Sequence, residues 1–331
     1  MSFEILVLLI GVALAFDFMN GFHDSANSIA TIVSTGAMSP QKAVIWAAFF
    51  NFIAFAFFGL HVAATIGKGI VDPRIIDQHV IFGALVGAIS WNIITWYYGI
   101  PSSSSHALVG GLTGAAVAKA GTGSLVGTGF IKTAVAIVLS PMLGFFLGGL
   151  LMVAVAWIGR RFVARKVERT FNSLQFVSAA LYSMGHGSND AQKTMGIIWM
   201  LLISYGSLGQ NDSLPFWVIL LCQTAMGLGT LFGGWRIVKT MGMRITKLKP
   251  VSGFCASASG AVTLFLATSL GVPVSTTHTI TGSIVGVGAS RKVSAVRWGV
   301  AGNIVWAWIF TIPASAFIAA TAWFIGHHYL P

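Results

Sequence analysis

Gly21-Phe22-His23-Asp24-Ser25-Ala26-Asn27-Ser28 is a polar, glycine-led stretch inside an apolar block spanning about residues 3–36. Its counterpart, Gly187-Ser188-Asn189-Asp190-Ala191-Gln192-Lys193-Thr194, lies 166 residues later inside a second apolar block at about 172–205. A second pair follows the first. Pro101-Ser102-Ser103-Ser104-Ser105-His106 matches Pro273-Val274-Ser275-Thr276-Thr277-His278 at an offset of 172, and the same offset carries Gly110 to Gly282, Gly114 to Gly286 and Pro141 to Pro313. A shared offset across separate features marks an internal duplication.

Outward from these motifs the chain is apolar. Of 331 residues 56% are hydrophobic and 8% charged, against about 25% charged in a soluble domain. The 39 Gly, 24 Phe and 11 Trp suit helices packed in lipid. Apolar blocks fall at about 3–36, 43–66, 80–98, 104–118 and 127–158, then at 172–205, 215–235, 253–270, 276–289 and 297–325. A span needs about 20 residues, so the fold class is all-α integral membrane with about 10–12 membrane segments. The blocks 3–36 and 172–205 are too long for one simple span, and their polar interruptions predict broken or re-entrant helices. The first block lacks a basic n-region and holds Glu4, so it reads as retained structure and not a cleaved signal.

The net charge of +11 comes from basic residues in short loops, which argues for topology and against nucleic-acid binding. With one crossing per block and the N-terminus outside, the inner loops hold Lys42, Arg160, Arg161, Arg165, Lys166 and Arg169. They also hold Arg236, Lys239, Arg244, Lys247, Lys249, Arg291, Lys292 and Arg297. That is 14 basic residues, against Lys68, Arg74 and Lys119 outside, and the positive-inside rule then predicts both termini outside. Five crossings per half make the second half enter from the opposite face. The expected domains are a first repeat at 1–158, a basic cytoplasmic linker at 159–171 and an inverted second repeat at 172–331, the architecture of many secondary transporters. Cys222 and Cys255 lie in apolar stretches without metal-ligand spacing and read as packing residues.

The chemistry concentrates at the motifs. Asp17, Asp24 and Asp190 lie inside apolar blocks, where a carboxylate costs about 2.5–3.5 kcal/mol on insertion scales and so marks an ion or substrate path. Asp24 and Asp190 hold equivalent positions in the repeat. Asp17 lies two helical turns before Asp24, as a proton relay or a packing partner. Around them sit Asn20, Ser25, Asn27 and Ser28, and His186, Ser188, Asn189, Gln192, Lys193 and Thr194, able to ligate ions or satisfy freed backbone groups. Pro101 and Pro273 end one helix, and the hydroxyl runs open the next. Its N-terminal N–H groups and dipole, with Ser103, Ser104, Ser105, Ser275, Thr276 and Thr277, form an anion cradle. His106 and His278 follow one turn in, as packed residues or as donors that carry a coupled proton. An acid beside an anion cradle favours an anion that keeps a proton at neutral pH, phosphate over sulfate.

These motif pairs resemble the paired signatures of the PiT family of inorganic phosphate transporters, nearly end to end and in the family's order. The resemblance implies a symporter of the bacterial cytoplasmic (inner) membrane. It places phosphate binding on Asp24, Asn27, Ser104, Ser105, Asp190, Ser275, Thr276 and Thr277, with Ser103 and Lys193 counted beside them. Cation coupling is assigned to Asp17, His23, Asp24, His106, Asn189, Asp190 and His278. Sodium-driven relatives carry an Asn-Asp pair in both halves with an Asn three residues after the Asp. Here His23 and Lys193 stand at two of those places, which looks more like proton-coupled members that take phosphate as a neutral divalent-metal complex. The ammonium of Lys193 is expected where a sodium ion sits elsewhere. No bound cofactor or protein metal site is expected; the partners are phosphate, a co-transported H+ or Na+, Mg2+ or another divalent ion with the substrate, and membrane lipid. A homodimer is compatible with the family. The rival readings are sodium coupling, a sulfate permease of the same family, a channel and, remotely, an intramembrane hydrolase, whose single Ser–His elbow the duplicated runs do not resemble.

Overall fold

Proline, serine and aspartate start the helices, and glycine ends several of them. The computed structural model describes residues 1–209 and 211–329, apart from the Lys68 side chain, and no strand occurs among them. In chain order the helices are α1 (Phe3–Ser34), α2 (Pro40–Ile53), α3 (His61–Gly69), α4 (Gln78–Tyr98), α5 (Ser104–Ala120) and α6 (Gly127–Gly159). The second set is α7 (Ala164–Tyr205), α8 (Phe216–Phe232), α9 (Trp235–Lys239), α10 (Pro250–Ser269), α11 (Thr276–Arg291) and α12 (Trp298–Tyr329). Asp77 caps α4 by accepting from the Val80 amide at 2.9 Å, and α4 stops at Gly99 with φ +65°, a conformation that glycine adopts without strain. Among the described residues, five helices are long and apolar enough to cross a membrane, or up to seven if each bent pair counts as one span.

The predicted breaks lie elsewhere than expected. α1 and α7 run unbroken through both polar stretches, which corrects the expectation of broken helices at 3–36 and 172–205. His23, Asn27, Asn189 and Lys193 find partners on other helices, and Ser25 and Ser188 bond within their own helix, so the backbone stays helical, and the glycines serve close packing. A Cβ on Gly21 would meet the Met226 backbone of α8, and one on Gly187 would lie 2.7 Å from the Cα of Asn51 in α2. The bends fall instead between Pro40–Ala56 and His61–Gly67, at 83°, and between Phe216–Phe232 and Trp235–Arg244, at 61°. α5 and α11 are short, about 25 Å at 1.5 Å per residue, each entered through an extended stretch after Pro101 or Pro273.

The halves interleave. α6 packs along α11, while α12 packs along α5 and α4, so each half lays its last helix against the other. The expected linker is mostly helix, since α7 already begins at Ala164. Two apolar clusters bracket a polar layer. α1 gives Leu6, Leu9, Ala13 and Phe16 to one and Ala26, Ile29 and Ile32 to the other. α7 contributes in the reverse order, Ala179 and Tyr182 to the second and Ala191, Met195 and Ile198 to the first. The two helices therefore cross the layer in opposite senses, with Asp24 and Asp190 within it.

Candidate substrate and ion site

The four motifs meet in this layer, fully buried. Ser103 and Ser275 cap α5 and α11, each accepting from the amide of the histidine three residues on at 3.2 Å. One hydroxyl of each run is thus given to the helix start, and the next ones face the acids. Ser104 donates to Asp24 Oδ2 at 2.7 Å, and its repeat mate Thr276 donates to Asp190 Oδ2 at 3.0 Å. The halves also cross over: Thr277 donates to Asp24 at 3.4 Å, and Asn27 Nδ2 donates to Thr277 at 2.9 Å and Thr276 at 3.3 Å.

Where the repeat changes residue, the site loses its symmetry. Lys193, the counterpart of Asn27, points its ammonium at Asp190, at Ser105 Oγ (2.5 Å) and at the Val274 carbonyl (2.7 Å). His23 stands where the other half has Asn189. Its Nδ1 lies 2.7 Å from Asp24 Oδ1 and its Nε2 3.1 Å from Thr95 Oγ1. Asn189 spends its amide differently, donating to Thr268 (3.1 Å) and the Val272 carbonyl (3.2 Å) and accepting from the Val274 amide (3.2 Å). It pins the extended stretch before α11 and makes no contact with an acid there.

His106 and His278 come together at the centre, ring centroids 4.3 Å apart and edge to face, with His278 stacked on Trp308 at 3.7 Å. The His106 ring nitrogens have no hydrogen-bond partner among the described residues, and the His278 ring lies against the Ile137 backbone. Asp17 borders this site, buried on α1 beside Asn20 and Thr194 and within electrostatic reach of Asp190 and Lys193. Sequence reading missed Tyr182, and it placed Asn20 and His186 beside the acids without a phosphate or coupling role. Asn20 Oδ1 lies 2.6 Å from Ser104 Oγ and shares its hydroxyl proton with Asp24, Tyr182 donates to the Thr276 carbonyl at 2.9 Å, and His186 Nε2 lies 3.3 Å from Asp190 Oδ2. Asn20 and His186 hold equivalent repeat positions four residues before each Asp, one helical turn, and that spacing was the available signal. Ligand atoms of Asp24, His186 and Asp190 lie within 4.8 Å of one another, close enough to share one cation.

Two acids, crossed hydroxyls and two helix N-termini in a buried layer make a place for a small oxyanion that both donates and accepts hydrogen bonds. The phosphate transporter family model matches residues 20–319. A probable low-affinity inorganic phosphate transporter of Rhizobium meliloti is 65% identical, covering 98% of this chain and 97% of the relative. One from Bacillus subtilis is 51% identical over 96% of each. A solved structure described as the sodium-dependent phosphate transporter has a TM-score of 0.89 at 26% identity, covering 99% of this chain and 100% of that one. With the family model running through both motif pairs and relatives similar from end to end, the chain belongs to the phosphate transporter family.

Proposed function

We propose that the chain carries inorganic phosphate across the bacterial cytoplasmic membrane as a proton-driven symporter, binding it between the α1/α7 acids and the α5/α11 N-termini. The observation that carries this is the paired, crossed geometry of Asp24–Ser104–Thr277 and Asp190–Thr276–Lys193. Phosphate near neutral pH keeps a proton to donate to an acid, while its other oxygens accept from Ser104, Ser105, Thr276, Thr277 and the helix-end amides. Sulfate has no such proton. Asn27 and Lys193 orient the hydroxyls, and Ser103 and Ser275 hold the helix starts.

Proton coupling is supported by Lys193. A carboxylate, a hydroxyl and a backbone carbonyl are the hard oxygens a monovalent cation takes, and here an ammonium already occupies them. His23 against Asp24, and the His106–His278 pair, are the groups able to exchange protons near the substrate. The opposed course of α1 and α7 supports inverted repeats that rock about the fixed site, and the loop charges support both termini outside.

Radiolabelled phosphate uptake into proteoliposomes tests this, under an imposed proton or sodium gradient, with and without Mg2+, and with excess sulfate. Uptake driven by protons and untouched by sulfate is expected, and dependence on Mg2+ identifies the metal complex as the transported form. Sodium-driven uptake overturns the coupling, and competition by sulfate overturns the substrate.

A further inference from the structure

The turn between α6 and α7 carries charge and apolar surface that the transport site does not use. Below it a groove of about 390 Å³ has apolar walls from Met152, Val155, Phe162 and Val167 and a rim of Arg160, Lys249 and Arg291. A second groove of about 300 Å³ shares Val155, Phe162 and Val167 and adds Ile158, Phe171 and Lys166. All four cations are exposed. The ion pairs recorded among the described residues involve none of them, and the acid at the groove is Glu168. The first turn of α7 has no side-chain cap and no acidic residue, so its positive end adds to the same field.

The depth of the turn is also marked. Arg160 lies 4.8 Å over the Trp157 ring, and tryptophan favours the level of lipid head groups. Phe162 and Val163 are 55% and 73% exposed at the turn's tip, an arrangement suited to the boundary between head groups and acyl chains. Exposed cations and apolar walls in the same grooves match one molecule that is anionic at one end and hydrocarbon at the other.

We propose that these joined grooves bind an anionic glycerophospholipid, its phosphate and head group against Arg160, Lys249 and Arg291 and an acyl chain along Val155, Phe162 and Val167. A zwitterionic lipid brings its own cation to the rim and gains less. Free phosphate leaves the apolar walls unused.

The test measures thermal unfolding and retained lipid on the full chain, purified in mixed micelles doped with phosphatidylglycerol, phosphatidylcholine or inorganic phosphate alone. Phosphatidylglycerol is expected to raise the unfolding midpoint above phosphatidylcholine and to be retained at least about tenfold over it, equivalent to about 1.4 kcal/mol. The combined Arg160→Gln, Lys249→Gln and Arg291→Gln variant is expected to lose that preference. Equal effects of the two lipids overturn the proposal in the unsubstituted chain, whatever the variant's yield; so does a phosphate-induced shift that the triple variant loses, because phosphate held at the transport site stabilises both proteins alike. So does a folded triple variant that keeps the preference.

Discussion

Lys193→Met removes the ammonium but keeps an unbranched chain of similar length. In the native site that ammonium meets Asp190, Ser105 Oγ and the Val274 carbonyl, on side chains 2% and 0% exposed. Breaking a buried ion pair from one side costs about 3–5 kcal/mol, because the remaining charge is stranded. Asp190 keeps the Thr276 hydroxyl at 3.0 Å and His186 at 3.3 Å, which places the cost near the lower end. About 3 kcal/mol corresponds to roughly 150-fold in an equilibrium constant, and in a chain of this size to a midpoint lower by roughly 4 °C. Lys193→Asn differs in one respect: it shortens the side chain to the residue found at position 27 and leaves the oxygens free for a small cation. Thermal unfolding in sodium or choline chloride, together with phosphate uptake, reads both variants. Lys193→Met is expected to be destabilised in either salt and to transport poorly, whereas sodium restores stability and uptake to Lys193→Asn alone. A Lys193→Met protein as stable as the parent, or a Lys193→Asn protein indifferent to sodium, refutes the reading of Lys193 as a tethered cation.

Gly187→Ala forces a Cβ against the Asn51 backbone and is expected to destabilise by about 1–3 kcal/mol, while Gly302→Ala, with nothing near its Cβ in α12, gains about 0.5–1 kcal/mol of helix stability; paired melts compare them. Ser104→Ala removes one donor to Asp24 and the partner of Asn20, and is expected to weaken phosphate binding by about 10–100-fold, at about 1.5–3 kcal/mol for a bond to a charged group, as read by equilibrium binding. Outside the membrane layer, burial raises the Asp77 carboxyl, but the Lys119 ammonium and the Val80 amide outweigh it and hold the group below its ordinary value. A depressed acid stabilises the fold above the unfolded value of about 3.9 and loses that contribution as pH falls through the folded one. Asp77→Asn is therefore expected to flatten the acid limb of a stability-against-pH profile. His278→Phe keeps a ring to stack on Trp308, so a purely packed histidine predicts unchanged uptake, whereas a proton-carrying one predicts an altered pH profile of transport.

The ten apolar blocks were legible because lipid demands long apolar runs and because proline, serine and glycine mark their ends. The continuity of α1 and α7 was not legible. A polar stretch in an apolar block is satisfied either by unwinding locally or by partners from elsewhere, and the partners of His23, Asn27 and Asn189 lie 72, 250 and 79 residues away. The bends after α2 and α8 were hidden inside blocks apolar on both sides of Gly59 and of Gly233-Gly234. Duplication located the site, since equivalent positions in the two halves carried the acids and hydroxyls. It could not reveal that α6 and α12 exchange partners, which depends on which helix faces fit together, nor that Asn189 holds backbone and leaves Asp190 to Lys193.

The departures from the repeat determine what the site requires of its cargo. A strict duplication would give each half an acid, a hydroxyl run and an amide, and both Asp24 and Asp190 would need a cation. This chain places Lys193 beside Asp190 and leaves Asp24 with His23, Ser104 and Thr277. One carboxylate thus carries its counter-charge permanently, and the other has only hydrogen-bond donors and an imidazole. An entering phosphate adds negative charge to a layer buried from water, where like charges repel strongly. On the proposed symport, positive charge arrives with it, and the open place for that charge is the Asp24 side. On this account a symporter with one acid already neutralised needs one fewer mobile cation per phosphate than a symmetric site would. Lys193→Asn should then raise the number of cations moved per phosphate by one. Reversal potentials in proteoliposomes measure that number directly, and an unchanged ratio in an active Lys193→Asn protein would show that the ammonium holds the fold without counting in the transport cycle.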